Sequence, residues 1–525
     1  MKRGTRAGRA GAWAAVAAGV AMTASSAWAQ PGHAPAPANP GTTDSASAEL
    51  AAPHPPTADA RQVSERMDTA LAPQPGGLVS DDVARRAEMT SPEVRAKQEE
   101  VRAAAQKVDQ AAILFMPKIS LLARYMRLSP ITAPNLGVLV GALQPGPVQV
   151  ICPPVAAGQP NQCTAMAAGV DVSFPILLNM YTLQGSIALP LSDYLLRLSQ
   201  NYSAASSSKE AAELQEQASR QKIQNDARTA YYNWIRAKGA VVVADQGLAT
   251  VRAHLKDVNS AVVVGSASKA DLLRVESQQA STELLLENAR NMATLSEEQI
   301  RVMLHDPPST TYAIGEDISA PVPAFTAGTL QDLYAEAMRQ RLEVRVLDTT
   351  VRSLRKTRSV LAAGNYPRLD AFGDLYYQNP NTRAFPQQNQ WSTTWDVGIQ
   401  LSWTVNDTLT TGSQTSELDA KIKELEAQKA QLEDGIRLQV TQAYNALRSA
   451  QFSRETTERQ LAASEESYRV RRELFRAGRA TSAELTDAET DLMKTRFDAL
   501  NARIDLRVAR ANLAYALGRQ QPSHP

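Results

Sequence analysis

The 525-residue chain has little cysteine, little histidine and few aromatics: two Cys, five His and 5% Phe, Trp and Tyr. So few cysteines exclude a disulfide-dense secreted scaffold. An Ala-rich, aromatic-poor composition suits long helices better than a compact enzyme core. Charge of one sign is missing as well, since 55 Lys+Arg stand against 54 Asp+Glu. That balance argues against a protein that must neutralise many phosphates, so no nucleic-acid partner is expected. His33, His54, His254, His305 and His524 are scattered without metal-ligand spacing, and neither GxxxxGK[ST] nor GxSxG occurs. The chain is therefore not read as an enzyme, and no metal or cofactor is expected. Asp81-Asp82 and Glu297-Glu298 read as solvated helix faces.

No apolar run reaches the ~20 uncharged residues that a spanning helix needs. The shorter run Ala10 to Met22 follows Lys2, Arg3, Arg6 and Arg9 and precedes Ala27-Trp28-Ala29, which reads as a cleavable export signal over 1–29. No Cys follows the cleavage point, so lipid attachment there is not expected. Residues 30–79 form a Pro- and Ala-rich arm without apolar period, expected to be disordered. Cys152 and Cys163 lie in a Pro/Gly-rich stretch of an exported chain and are expected to form a disulfide.

What the sequence does have is an internal duplication. At an offset of 213, Ile223 matches Ile436, Tyr231 matches Tyr444, Gly265 matches Gly478, Glu276 matches Glu489 and Leu304 matches Leu517. Upstream the offset becomes 250, where Met116-Pro117-Lys118-Ile119 corresponds to Tyr366-Pro367-Arg368-Leu369. The first copy is expected over 80–306, a connector over 307–328, the second copy over 329–519 and a short tail over 520–525. A loop at 129–179, which holds both Cys, accounts for the change of offset. Helix starts are signalled at Ser91-Pro92-Glu93 and at Thr329-Leu330-Gln331-Asp332, the second running to about Ala362.

Each copy carries two segments with period-2 alternation. Ile119, Leu121, Ala123 and Tyr125 alternate with Lys118, Ser120 and Arg124. Leu183, Ile187, Leu189 and Leu191 stand against Thr182, Gln184 and Ser186. In the second copy, Leu369, Ala371, Leu375 and Tyr377 alternate with Arg368, Asp370, Asp374 and Gln378. Trp395, Val397, Ile399, Leu401 and Trp403 alternate with Asp396, Gly398, Gln400, Ser402 and Thr404. A half-buried soluble sheet gives the same period, but four such strands with terminal aromatics in an exported chain favour lipid-facing strands. Four strands cannot close a barrel, because bilayer barrels start at about eight, and an open edge in lipid leaves backbone groups unpaired. Several chains must then share one barrel.

Pro-free runs from Ser192 to Ser260 and from Ser413 to Phe475 predict helices of roughly 100 Å at 1.5 Å per residue. Leu418, Ile422, Leu425, Leu432 and Ile436 give the second of them a coiled-coil seam that needs neighbours. Each run ends in a Gly turn: Gly265-Ser266-Ala267-Ser268-Lys269-Ala270-Asp271-Leu272 and Gly478-Arg479-Ala480-Thr481-Ser482-Ala483-Glu484-Leu485. Gly supplies the left-handed residue that stops a helix. Ser268 with Asp271, and Thr481 with Glu484, can box the start of the next helix.

With these duplicated strand–strand–long-helix copies and their Gly-x-Ala-[Ser/Thr]-x-Ala-[Asp/Glu]-Leu turns, the chain resembles the TolC family of outer-membrane efflux proteins over about residues 80–519. The resemblance implies an α+β membrane protein in which four β-strands per chain contribute to a trimeric, twelve-stranded outer-membrane β-barrel. Long coiled-coil helices would form a periplasmic α-barrel beneath it. It implies a homotrimer that serves as a passive exit duct, opened by a periplasmic adaptor and driven by an inner-membrane transporter, with outer-membrane lipid around the strands. Gly265, Ala267, Ser268, Asp271, Leu272, Gly478, Ala480, Thr481 and Leu485 would then form the adaptor-facing tip. Asp271, Arg479, Glu484 and Asp487 would form the gate, with Arg479 pairing Asp271. A trimeric coiled-coil adhesive or structural surface protein is the alternative, although it predicts no duplicated strands. The missing lipid anchor, the arm and the long first loop depart from the family pattern.

Overall fold

A computed structural model describes residues 69, 71–131, 176–322 and 328–519, all within one unit, Pro56–Pro525. Between residues 131 and 176 it gives two short backbone ladders, Val138–Leu139 with Val170–Asp171 and Gln149–Ile151 with Thr164–Met166. The expected export signal, most of the arm, both cysteines and the C-terminal tail lie outside the described residues. The second ladder ends on the pair Ile151↔Thr164, the sequence neighbours of Cys152 and Cys163.

The duplication is carried element by element. Helices α1 (Ser80–Thr90) and α2 (Pro92–Ile113), strands β1 (Lys118–Arg127) and β2 (Asn179–Leu189), and helices α3 (Ser199–Val263) and α4 (Lys269–Leu304) form the first copy. Helices α5 (Leu330–Gln340) and α6 (Leu342–Ala362), strands β3 (Arg368–Asn379) and β4 (Ser392–Ser402), and helices α7 (Val405–Arg476) and α8 (Ser482–Ala516) form the second. Ser80, Pro92 and Lys118 start elements 250 positions before Leu330, Leu342 and Arg368; Lys269 starts one 213 positions before Ser482.

Four expectations are corrected. The helix expected from Thr329 to Ala362 is two helices, because Arg341 between them is extended (φ −63°, ψ 121°). Its guanidinium sits 4.9 Å from the Tyr515 ring and donates to the Tyr515 carbonyl, so packing against α8 overrides local helix propensity. The first copy breaks at the equivalent Ser91, which precedes Pro92 and is therefore pushed out of the helical region, so α1 lies ahead of the expected start. The end of the arm is ordered: Leu71 is buried with Trp234 and Ile300, and Leu78 pairs in parallel with Ile314 of the connector. Leu191 and Trp403 fall outside the strands. Leu191 opens a helical turn after Pro190, and a π-helical stretch, Tyr194–Leu198, leads from that turn into α3.

The sheet is antiparallel in the order β1–β2–β3–β4, so β1 and β4 are open edges. Its register sets Ile119↔Ile187, Tyr125↔Tyr181, Leu183↔Tyr377, Leu375↔Trp395 and Ala371↔Ile399 on one face. Lys118, Arg124, Gln184, Asp374 and Asp396 occupy the other, as the alternation predicts. Phe372 is an apolar exception on the polar face, where it lies over Gly398: a Cβ there would come within 2.9 Å of the ring.

The long helices pack side by side in the order α4–α3–α8–α7. Gly239 and Gly247 of α3 let α8 approach closely, since a Cβ at either would meet Leu500 or Met493 at 2.7 and 2.6 Å. One core gathers Trp234, Tyr231, Ile235, Leu500 and Ile504; a second gathers Ile436, Val440, Leu447, Leu506 and Leu513 under α5. Among the described residues, no helix is long and apolar enough to cross a membrane.

Candidate functional site

Two regions of the fold carry chemistry: the helical turns far from the sheet, and the strand face. At the turns, Gly265 (φ 73°) and Gly478 (φ 69°) adopt the left-handed conformation expected of them. The orphan carbonyls behind them are satisfied by Ser266 N–H to Ala261 O at 2.9 Å and Arg479 N–H to Leu474 O at 2.8 Å. Both capping boxes form. Asp271 N–H donates to Ser268 Oγ at 3.2 Å and Glu484 N–H to Thr481 Oγ1 at 3.3 Å, with each carboxylate accepting the reciprocal backbone bond. The Ser268 hydroxyl and amide hold the Asp271 carboxyl below the usual carboxylate range.

The residues expected at the tip and gate separate into classes. Gly265, Ser268, Gly478, Arg479, Thr481, Glu484 and Asp487 are exposed, and Ala267, Asp271, Leu272 and Ala480 are half-buried. Leu485, at 2% exposure, packs inward and presents no contact surface while the helices stay together. Asp271 is committed to its capping box. Within the chain, and among the described residues, Arg479 forms no ion pair with it. Glu484 is 3.4 Å from Arg471 of α7. Asp487 has no ion-pair partner among the described residues.

Some features of this region escape sequence reasoning. Val263 and Val264 stand exposed on the first turn, while the second turn carries Arg476 and Ala477 at the equivalent places. Below the turns, His254 of α3 meets Glu489 and Ser482 of α8, with Nδ1 3.0 Å from Glu489 Oε2 and Nε2 3.2 Å from Ser482 Oγ. The order Ser–His–Glu is that of a nucleophilic triad. However, Ser482 is 4% exposed, and the cavity beside Glu489, about 10 Å³, has room for at most one water. No substrate reaches the hydroxyl. Only the hydropathy of α8 hinted at this arrangement, since Glu489 falls on an otherwise buried stripe.

The paired acids expected to be solvated are engaged. Asp81 accepts from Arg228 at 3.0 Å, Asp82 pairs with Arg85, and Glu297 lies between Arg301 and Lys238. The exposed stripe of α8 is mostly acidic: Glu484, Asp487 and Asp491 with Lys494 at heptad spacing.

At the strands, the apolar side chains Leu121, Val397 and Ile399 are 87%, 72% and 75% exposed. At the end away from the helices, Tyr125, Tyr181, Trp391 and Tyr377 make a continuous aromatic row in that order, with centroids 5.0, 5.9 and 4.8 Å apart. Aromatic girdles at an apolar band are the mark of bilayer strands. On the opposite face Arg383, from the loop after β3, reaches Asp396 at 2.9 Å and folds that loop over the polar side.

A four-stranded sheet with an exposed apolar face and two open edges, joined to paired helices of about 100 Å, is an architecture that outer-membrane channel protomers share. Comparison with known proteins agrees. The profile of the family described as outer membrane efflux protein matches residues 333–519. No curated protein matches it. Among solved structures, it is similar to the outer-membrane channel OprN at 17% identity, covering 87% of this chain and 92% of that one, with a TM-score of 0.66. It is also similar to VceC of Vibrio cholerae (15% identity, 84% and 96% coverage, TM-score 0.63). A third is the MtrE channel of Neisseria gonorrhoeae in its open state (14%, 84% and 89%, 0.65).

Proposed function

We propose that three copies of this chain close into an outer-membrane exit duct for efflux or secretion. The unfinished edges carry this reading. On β1 and β4, roughly every second residue aims its N–H and C=O away from the sheet. In lipid each unpaired group costs several kcal/mol, so the edges together cost tens of kcal/mol unless another copy pairs with them. The strands alternate in direction from β1 to β4, so β4 of one copy and β1 of the next continue the antiparallel pattern. The homotrimer with twelve strands is the assembly that the family resemblance implies. Strands of 10–12 residues, tilted about 40°, span a bilayer band of ~25 Å.

In this duct the helices lie in the periplasm and the two Gly turns meet the helical hairpin of a periplasmic adaptor, which links the duct to an inner-membrane transporter. Val263 and Val264 give the first turn an apolar contact that the second lacks. The chain carries no nucleotide-binding motif, so its partners supply the energy. Opening is a shift between a closed and a dilated arrangement of the turns, paid for by adaptor contacts made only in the dilated one. Threefold repetition of Glu484 and Asp487, continued by Asp491, favours cations along the constriction through their local field. Asp487 carries most of this, because Glu484 is shared between its capping box and Arg471. Any pairing of Arg479 with Asp271 is made between copies.

In a planar bilayer, the purified protein is expected to give discrete channels that prefer K⁺ over Cl⁻. Asp487→Asn should weaken that preference more than Glu484→Gln does. Equal effects of the two substitutions, or an unchanged reversal potential in Asp487→Asn, would remove the stripe from the conduction path.

A further inference from the structure

The duplication leaves one groove open and closes its twin. Where α1, α2 and the end of α4 meet, an apolar groove of about 620 Å³ is lined by Ala87, Pro92, Ile223, Leu295, Val302 and Met303. Leu295 and Val302 are each 64% exposed on its wall. At the same place in the second copy, beside the end of α8, only about 20 Å³ is left. Tyr515 stands where the first copy has Val302, with the Arg341 guanidinium 4.9 Å from its ring. The outer side is closed by α3, whose Gln221, Gln224 and Asn225 share the remnant with Ala511 and Tyr515. Across that joint Asn225 Nδ2 donates to Asn512 Oδ1 at 3.1 Å.

We propose that the open groove seats helix α7 of a second copy, packed on α4 in the register that α3 takes on α8 within one chain. A spacing of 213 relates β2 (179–189) to β4 (392–402), the start of α4 at Lys269 to that of α8 at Ser482, and the end of α3 at Val263 to that of α7 at Arg476. The left-handed residues His305 and Gly518, just past α4 and α8, keep the same spacing. The α7 counterpart of an α3 residue therefore lies 213 positions on, and the α4 counterpart of an α8 residue 213 positions back.

Counterparts of buried α3 residues stand exposed on α7: Leu438 for Asn225 and Phe452 for Gly239, at 59% and 69%. On α4, Gln299 replaces Asn512 and Glu287 replaces Leu500. In this register Leu438 of the second copy enters the groove beside Gln299 and Val302, so an apolar side chain meets an apolar wall. The bulky partner changes sides at the next contact. Within the chain Leu500 fills the space over Gly239; between copies Phe452 fills it, against the stem of Glu287. Charge fits as well. Gln224 and Ala511, which face the remnant together, have Arg437 and Glu298 as counterparts. Arg437 lies over the Tyr334 ring at 5.8 Å and has no ion-pair partner among the described residues. Glu298 sits on the groove rim beside Arg301. A lipid tail would fill the groove without explaining why the exposed residues of α7 and α4 are the counterparts of residues that meet inside the chain.

This joint rests on the duct reading and adds its register: three such joints close the ring. Thiol crosslinking of the purified full chain tests it. Leu438→Cys combined with Gln299→Cys, treated with a short bis-maleimide, should give bands of two and three chains on a denaturing gel. Phe452→Cys with Glu287→Cys should do the same. Within one chain α4 and α7 lie at opposite ends of the helix row, so neither pair reacts internally. Phe452→Cys with Gln299→Cys, roughly 20 Å out of register, should stay at one chain. So should each single variant, which controls for Cys152 and Cys163. Asn225→Cys with Asn512→Cys should react inside the chain and add no band. Three chains per particle by light scattering with no crosslink from either in-register pair, or with as much from the out-of-register pair, would overturn the register and leave the duct. One chain per particle would remove the duct, and this joint with it.

Discussion

The two copies share their elements, yet equivalent helices live in different surroundings. In the first copy α3 is enclosed, with Trp234, Ile235, Val243 and Val258 buried along its length. Its counterpart α7 buries nothing beyond Ala450. The second hairpin arms reverse the pattern. Helix α8 is buried from Leu485 to Ala516, while α4 buries only one stripe, Val275, Thr282, Leu286, Ala289, Ser296, Ile300 and Leu304. The struts repeat the difference: α6 packs against both α3 and α7, whereas α2 packs mainly against α3 among the described residues. A duplicated sequence with unequal burial has ends. The helix row ends at α4 and α7, the sheet ends at β1 and β4, and every missing neighbour is one that another copy would supply. Leu284, Leu295 and Val302 on α4, and Leu438 and Phe452 on α7, are among the apolar side chains left exposed there.

The strongest way to break this comparison is to charge one end. Leu284→Glu with Leu295→Glu should remove roughly 3–6 kcal/mol from each joint between copies. Assembly should collapse to single chains by sedimentation, while the helical signal is retained. A smaller effect is expected on the sheet. Val397→Arg, on the apolar face, should cost ~2–4 kcal/mol and lower the membrane-inserted fraction. Asp396→Asn, one residue away on the polar face, should leave insertion unchanged; equal losses would mean the faces have been assigned the wrong way round.

At the turns, Gly478→Val forces a β-branched residue into a left-handed conformation at ~1–3 kcal/mol. A Cβ there meets nothing within 4 Å, so insertion and assembly should survive. Adaptor-dependent efflux should be lost, and retained efflux would reduce the turn to a simple connection. The smallest effect should come from Thr481→Ala, about 1 kcal/mol of α8 stability through the lost cap, read as a modest fall in melting temperature.

Much of this was legible in sequence because it depends on local periodicity. The offsets of 213 and 250 marked the copies, period-2 alternation gave the sheet faces, and glycine with Ser or Thr caps gave both turns. The break at Arg341 was not legible, because it is imposed by Tyr515, 174 residues away. Applying the offset of 250 to Ser91-Pro92 would have found it. The His254–Glu489 link joins residues 235 apart on different copies, and no spacing rule encodes which helices become neighbours. The inward packing of Leu485 was hidden for the same reason: the motif fixes the turn, while its depth depends on the helix alongside.

The number of chains in the detergent-solubilised protein, measured by native mass spectrometry or light scattering corrected for detergent, tests the central claim most directly. Three chains per particle with full helical content is the expected result. A stable, fully helical single chain would contradict it, since the edges of sheet and helix row would then need no partner.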